Sequence, residues 1–336
     1  MKKCNRMWMV GICMLVLAGC QTTPESKKGE QALLTKQVEQ PEEEKNPFDL
    51  EEIEKSGQII QASYGWTVAN YDPSIRRIDL GEETSTDLIM ELESRNACEV
   101  GYMMFIDGIP QQYRMGEKEG YLIPVDCEQG VSSAALNVTP TVPDTEKEHI
   151  VNFVCLYHPS FRVSEEETHY GNYHNLSQLL PWKISGTFSE TDIAIVTDVT
   201  YQPIPEDIKE QYVRVNRDGT VVKQYETVLY SKFYQNGTET ERFDGGENTQ
   251  LVLFGGKECS YRVSLFVDHH PVAAFSGAEY IDVTMKNEQM AVMDLDFSEE
   301  LISDYSCVYA ILCPLDSMGN DADRLVEKTA SITLFQ

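Results

Sequence analysis

The sequence is short of cations. Against 55 aspartates and glutamates it carries 27 lysines and arginines, a formal net charge of −28. That balance argues against nucleic acid as a partner, because phosphate contacts need Lys and Arg. It also sets the protein surface against anionic lipid headgroups. The chain has no long amphipathic helical stretch and no alternation of strand and helix, which argues against a Rossmann domain, a TIM barrel and the two-lobed α/β binding proteins. No G-x-S-x-G elbow, P-loop or nucleotide-binding glycine pattern occurs. No cysteine pair has C-x-x-C spacing, so neither a zinc knuckle nor a thioredoxin-type site is indicated.

What is present begins with Lys2, Lys3 and Arg6, followed by the mostly apolar Met7 to Leu17 and then Leu17-Ala18-Gly19-Cys20. The apolar run is too short to span a bilayer, which takes about 20 residues. The order of these features resembles the lipobox signal of bacterial lipoproteins. The resemblance implies cleavage before Cys20 and a diacylglyceryl group on the Cys20 thiol, with acylation of the new N-terminus as well. It implies a protein held through lipid at the extracytoplasmic face of the cell membrane. No cofactor besides that lipid is expected. Two or more chains, at about 0.8 kcal/mol per buried methylene, anchor stably where one does not. Loss of residues 1–19, with three basic and no acidic residues, takes the charge from −28 to −31. At that charge the anchor, not the protein surface, must hold the membrane. Residues 20–55 carry Pro24, Pro41, Pro47 and Glu42-Glu43-Glu44 and have little to bury. They read as a disordered acidic tether.

From residue 56 the texture changes to short runs of Val, Ile, Tyr, Phe and Thr between turn residues. The expected fold class is all-β, two tandem immunoglobulin-like β-sandwich domains. The expected bounds are 56–163 for the first, 164–182 for a linker, and 183–336 for a second with extra N-terminal strands. A repeat supports the duplication. Cys98 to Pro110 matches Cys259 to Pro271 without a gap, with Cys, Phe, Asp and Pro coinciding. Leu88–Leu92 parallels Leu251–Phe254, Tyr121–Val125 parallels Tyr280–Val283, Ala135–Val138 parallels Val292–Leu295, and Ile150–Tyr157 parallels Tyr305–Leu312. An offset of 161 residues at Cys98 is far beyond solenoid periods. The shared Asp107 and Asp268 fall at strand-ending turns and read as structural. Asn236-Gly237 and Asn216 to Gly219 read as hairpin turns, Glu206 to Tyr212 as a helical turn, and Ala330 to Phe335 as an edge strand.

Six cysteines follow Cys20. Cys98 with Cys155 and Cys259 with Cys313 have spacings suited to disulfides between two sheets; the competing reading is buried thiols acting as small apolar residues. His158, Glu166, His169 and His174 supply imidazole and carboxylate of the kind that binds zinc, although a five-residue spacing between His169 and His174 suits no helical face. Asp316, Asn320, Asp321 and Asp323 form an acidic loop with calcium-type oxygens but without the EF-hand pattern. His269-His270 reads as a solvated turn.

The expected function is a non-enzymatic binding or accessory module displayed outside the membrane for a protein or glycan partner. The alternatives are a metal-dependent enzyme or metal-binding module using the His158–His174 region, and a lipoprotein subunit of a transporter or envelope complex.

Overall fold

The computed structural model describes residues 62–68, 71–72, 76–145, 148–164, 169–297, 305–315 and 325–335. The signal, Cys20, the tether, Glu166 and the loop bearing Asp316, Asn320, Asp321 and Asp323 lie outside the described residues.

Fourteen strands form the frame, seven in each copy. The first copy contains β1 (Ala62–Val68), β2 (Arg77–Asp79), β3 (Thr86–Ser94), β4 (Cys98–Ile106), β5 (Gly130–Val138), β6 (His149–Tyr157) and β7 (Trp182–Ser185). The second contains β8 (Leu229–Gln235), β9 (Arg242–Asp244), β10 (Thr249–Gly255), β11 (Ser260–Val267), β12 (Gln289–Leu295), β13 (Ser306–Pro314) and β14 (Ile332–Phe335).

In the first copy one sheet runs β1-β3-β5 and the other runs β2-β7-β6-β4; in the second the orders are β8-β10-β12 and β9-β14-β13-β11. Each strand in one copy has its counterpart seven labels later. Even the parallel pairings correspond, β2 with β7 and β9 with β14. Mainly antiparallel sheets joined by connections that cross between them make an immunoglobulin-type sandwich, so the expected fold class holds.

The strands form because the sequence alternates. β3 buries Thr86, Leu88, Met90, Leu92 and Ser94 and turns Asp87, Ile89 and Glu93 outward. That period of two is what a sheet with one wet face requires. β6 and β13 differ. Ser306 to Pro314 is buried at every position, and His149 to Tyr157 at all but Ile150 and Tyr157. A strand covered on one side only would not be apolar on both.

The cover is the other copy. Val151, Phe153 and Cys155 of β6 face the core of the first sandwich, and Val308, Ala310 and Leu312 of β13 face that of the second. The intervening residues meet in a third cluster, which joins Met103, Phe105, Val154 and Leu156 to Phe266, Tyr309 and Ile311. Phe105 meets Phe266 edge-on at 6.3 Å, and Phe266 stacks on Tyr309 at 5.2 Å. The two sandwiches therefore stand back to back as four layers.

Three expectations need correction. Residues 164–182 are not a linker. Leu176–Gln178 pairs with β6, β7 lies between β6 and β2, and Ser189–Glu190 pairs with Thr141–Val142, so the first sandwich runs through Glu190. A repeat aligned on loops and an apolar run could not place that strand. The last repeat segment is displaced by two residues. Val151 pairs with Ile106 as Val308 pairs with Val267, so Ile150 corresponds to Cys307 rather than Tyr305. A shift of two preserves the inward face, which is why the slip was invisible. Finally, β14 is not an edge, because β9 pairs with its far side.

The added material before the second copy is real. A helix α1 (Glu206–Gln211) precedes a hairpin of Val213–Val215 with Val221–Lys223. Ile204 and Tyr225, with Tyr212 beside them, cover Val252, Phe254 and Met290 on the outer face of the β8-β10-β12 sheet.

Candidate functional site

The shared Asp explains the two turns that end β4 and β11. Both central residues of each turn have positive φ, Asp107 and Gly108 at 48° and 77°, Asp268 and His269 at 46° and 70°. This is the two-residue hairpin geometry whose twist matches its strands. At the first turn glycine is required for space as well, since a Cβ on Gly108 would lie 2.8 Å from Arg262 Cβ of the other copy. At the second turn a histidine takes the strained position and its ring goes inward. His269 is buried, and the solvated-turn expectation fails for it; its neighbour His270 is exposed.

His269 Nε2 donates to the Pro159 carbonyl at 2.7 Å, and Nδ1 accepts from the Tyr309 hydroxyl at 3.0 Å. This tautomer is assigned from the carbonyl, which can only accept. His174 has the same logic. Nε2 donates to the Phe161 carbonyl at 3.1 Å, which leaves Nδ1 to accept from Ser331 Oγ at 3.1 Å. The Cys307 thiol also lies 3.4 Å from that nitrogen. The two rings meet at 5.5 Å. Burial drives both imidazoles toward the neutral form, His174 down to about 2 and His269 down to about 4. The nearby Lys328 acts in the same sense on His174.

Lys328 completes the group. Its Nζ donates to Ser331 Oγ and to the Thr329 carbonyl, each at 2.9 Å, and sits 4.7 Å over the Tyr309 ring. Burial lowers its pKa to about 8. Lys328, Ser331, His174 and the Phe161 carbonyl thus form one directed chain of hydrogen bonds across the seam. Gln178 adds a second tie by pairing both ways with the Val326 backbone, at 3.0 and 2.7 Å.

Outside this chain opens a cleft of about 640 Å³. The first copy contributes Tyr173, His174 and Gln178, and the second Glu241, Lys328 and Ser331. His169 and Glu241 pair at the rim at 2.7 Å. Tyr173 stacks on Phe161 at 3.7 Å and stiffens the wall.

The imidazoles expected to share a metal are separated. His158 packs edge-on against Tyr173 at 5.4 Å, His169 is exposed and paired with Glu241, and both ring nitrogens of His174 are engaged. Among the described residues no group of three or more His, Cys, Asp or Glu is placed to hold a metal ion. The polar sequence around His169 suggested ligands; the structure uses His174 as a buried bridge. Sequence reading missed Lys328, Ser331 and His269 as its companions. The only local signal was a lone lysine and serine before an apolar strand.

Neither expected disulfide is present in the structure, and the six described cysteines are free and buried. Cys155 lies opposite Tyr102 in the same sheet as Cys98, so the two do not span sheets. Cys259 faces the second core and Cys313 the seam, on opposite sides of their sheet.

No protein-family model matches the chain, and no curated protein matches it. Among solved structures it is similar to a chaperone–tip adhesion subunit pre-assembly complex of archaic chaperone-usher pili of Acinetobacter baumannii, at 14% identity over 81% of this chain and 98% of that one, with a TM-score of 0.19. A pilin–chaperone complex of Salmonella enterica matches at 10% identity over 83% of this chain and 96% of that one, with a TM-score of 0.22. The C-terminal domain of an antigen I/II polypeptide of Streptococcus agalactiae matches at 8% identity over 81% and 100%, with a TM-score of 0.21.

Proposed function

We propose that the protein is a lipid-anchored, extracytoplasmic binding or accessory module that presents the seam cleft to a protein or glycan partner. Cys20 carries the lipid, residues 20–55 set the reach, and the four-layer body holds the cleft rigid. The observation that supports the reading is the cleft's construction. Its walls come from both copies and combine an aromatic face at Tyr173 with a partly shielded cation at Lys328 and a rim carboxylate at Glu241. Such a mixture suits recognition of hydroxyl-rich or peptide surfaces. The imidazole and hydroxyl groups behind it are bonded to one another, which favours positioning over chemistry.

Two measurements test this. Cys20→Ser is expected to move the protein from the membrane fraction to the soluble one and to remove acyl mass; a wild-type chain without acyl mass would overturn the anchor. A photo-crosslinking residue at Tyr173 is expected to trap a partner in intact cells, where the same residue at Val131, on the exposed outer sheet, traps none. Equal trapping at both positions, or none at Tyr173, would sink the cleft as the binding site.

A further inference from the structure

Cys98 and Cys127 are directly opposed. The strand Pro124–Cys127 runs antiparallel to β4, and its register places Cys127 against Cys98. Opposed residues in an antiparallel pair have Cα atoms about 4.5–5.5 Å apart, inside the range a disulfide spans. Both side chains enter the core of the first sandwich. The two thiols are coupled, so that ionising one makes the other harder to ionise. Cys98 Sγ donates to Ser94 Oγ at 3.5 Å. Cys98 follows a turn at the sheet's end and keeps 7% of its surface exposed, whereas Cys155 is fully enclosed. The second copy has no equivalent pair. Cys259 occupies the place of Cys98, but Met285 donates its backbone N–H to the Cys259 carbonyl where Cys127 would stand.

We propose that Cys98 and Cys127 are a redox pair that closes to a cross-strand disulfide, stapling the first copy alone. The oxidant is a disulfide of the glutathione or protein class. The Cys98 thiolate attacks one of its sulfurs, and the other leaves as a thiolate. Cys127 then attacks the Cys98 sulfur of the mixed disulfide and releases the second thiolate. The two protons lost by the cysteines end on the two thiols formed, so the pair is oxidised by two electrons and the oxidant reduced by two. Cys98 is the attacking residue because it is the slightly more exposed of the two.

The test treats the full chain with oxidised glutathione, alkylates it in denaturant and maps peptides without reductant. The expected product is a peptide pair joined through Cys98 and Cys127, with loss of two hydrogens. The melting midpoint should rise by about 5–10 °C, because the bond closes a loop of moderate length in the unfolded chain. In Cys127→Ser, Cys98 should stop at the glutathione adduct; in Cys155→Ser, the cross-link should form as in the parent. A link from Cys98 to Cys155, or full alkylation of both Cys98 and Cys127 after oxidation, would overturn the proposal. Mapping of the unmutated chain decides this even where a serine variant folds poorly.

Discussion

Asp107 and Asp268, in different copies of the sandwich, make the same pair of hydrogen bonds. Each receives on its carboxylate the backbone N–H of the second residue of the neighbouring strand, Ile150 for Asp107 at 2.9 Å and Cys307 for Asp268 at 3.0 Å. Each also donates its own N–H to the same residue's carbonyl, at 2.8 and 2.9 Å. The carboxylate is thus a clasp between β4 and β6, and again between β11 and β13. What surrounds the clasp has diverged. Asp107 also holds the buried His149 at 2.7 Å, whereas Asp268 pairs with Arg162 at 3.3 Å.

Asp107→Ala should therefore destabilise the protein by about 2 kcal/mol or more, because a charged acceptor is lost and buried donors are stranded. Urea unfolding followed by tryptophan fluorescence measures it. A change under about 0.5 kcal/mol would mean that water replaces the clasp.

The buried imidazoles predict a pH dependence with a definite sign. In the unfolded chain histidine titrates near 6.5; folded His269 titrates near 4. Between those values the unfolded state holds a proton that the folded state does not. Stability is therefore full above about pH 6.5 and falls as pH drops toward 4. His174 acts in the same direction and to lower pH. His269→Gln should reduce the slope of unfolding free energy against pH in this window by up to about 1.4 kcal/mol per unit. An unchanged slope would show that His269 is solvated.

The shared core predicts one cooperative transition in calorimetry. Phe105→Ala should cost about 3–5 kcal/mol, as large-to-small changes in sealed cores do, and should separate the melting of the two copies. Val131→Thr, on the exposed outer sheet, should stay within about 0.5 kcal/mol. Two transitions in the unmutated protein would mean that the seam is too weak to couple the copies.

Gly108 and Gly116 both have positive φ, but only Gly108 approaches another side chain. The cost of Gly116→Ala measures backbone strain alone. Gly108→Ala should cost about 1–3 kcal/mol more, because Arg262 must move. Arg262 is held by a two-pronged pair with Asp282 of its own copy at 2.8 and 2.9 Å and bridges the copies through a bond to the Asp107 carbonyl at 2.9 Å. Equal costs at the two glycines would argue against the close approach.

The duplication and the strand class were legible because each copy keeps its period of two and its turn residues; Cys98 to Pro110 and Cys259 to Pro271 align in sequence and in hydrogen-bond register alike. The seam was not, although one clue was in plain view. The strand Cys307 to Cys313 has no charged residue and only the Tyr309 hydroxyl to offer water, and such a run needs cover on both faces. The cleft was illegible for a different reason. His174 and Ser331 lie 157 residues apart, and no local pattern reports that a loop of one copy will hydrogen-bond a loop of the other. The cysteine spacings misled because distance along the chain says nothing of which face of a sheet a side chain takes.

The back-to-back packing has a consequence for synthesis. When the first copy is complete at Glu190, Met103, Phe105, Val154 and Leu156 have no cover. The aromatic rings that shield them, Phe266 and Tyr309, emerge long afterward. For that interval the half-made chain carries an apolar sheet face in water, the state most prone to stick to its neighbours. Elongation must outrun aggregation, or something else must sit on that face until the second half arrives.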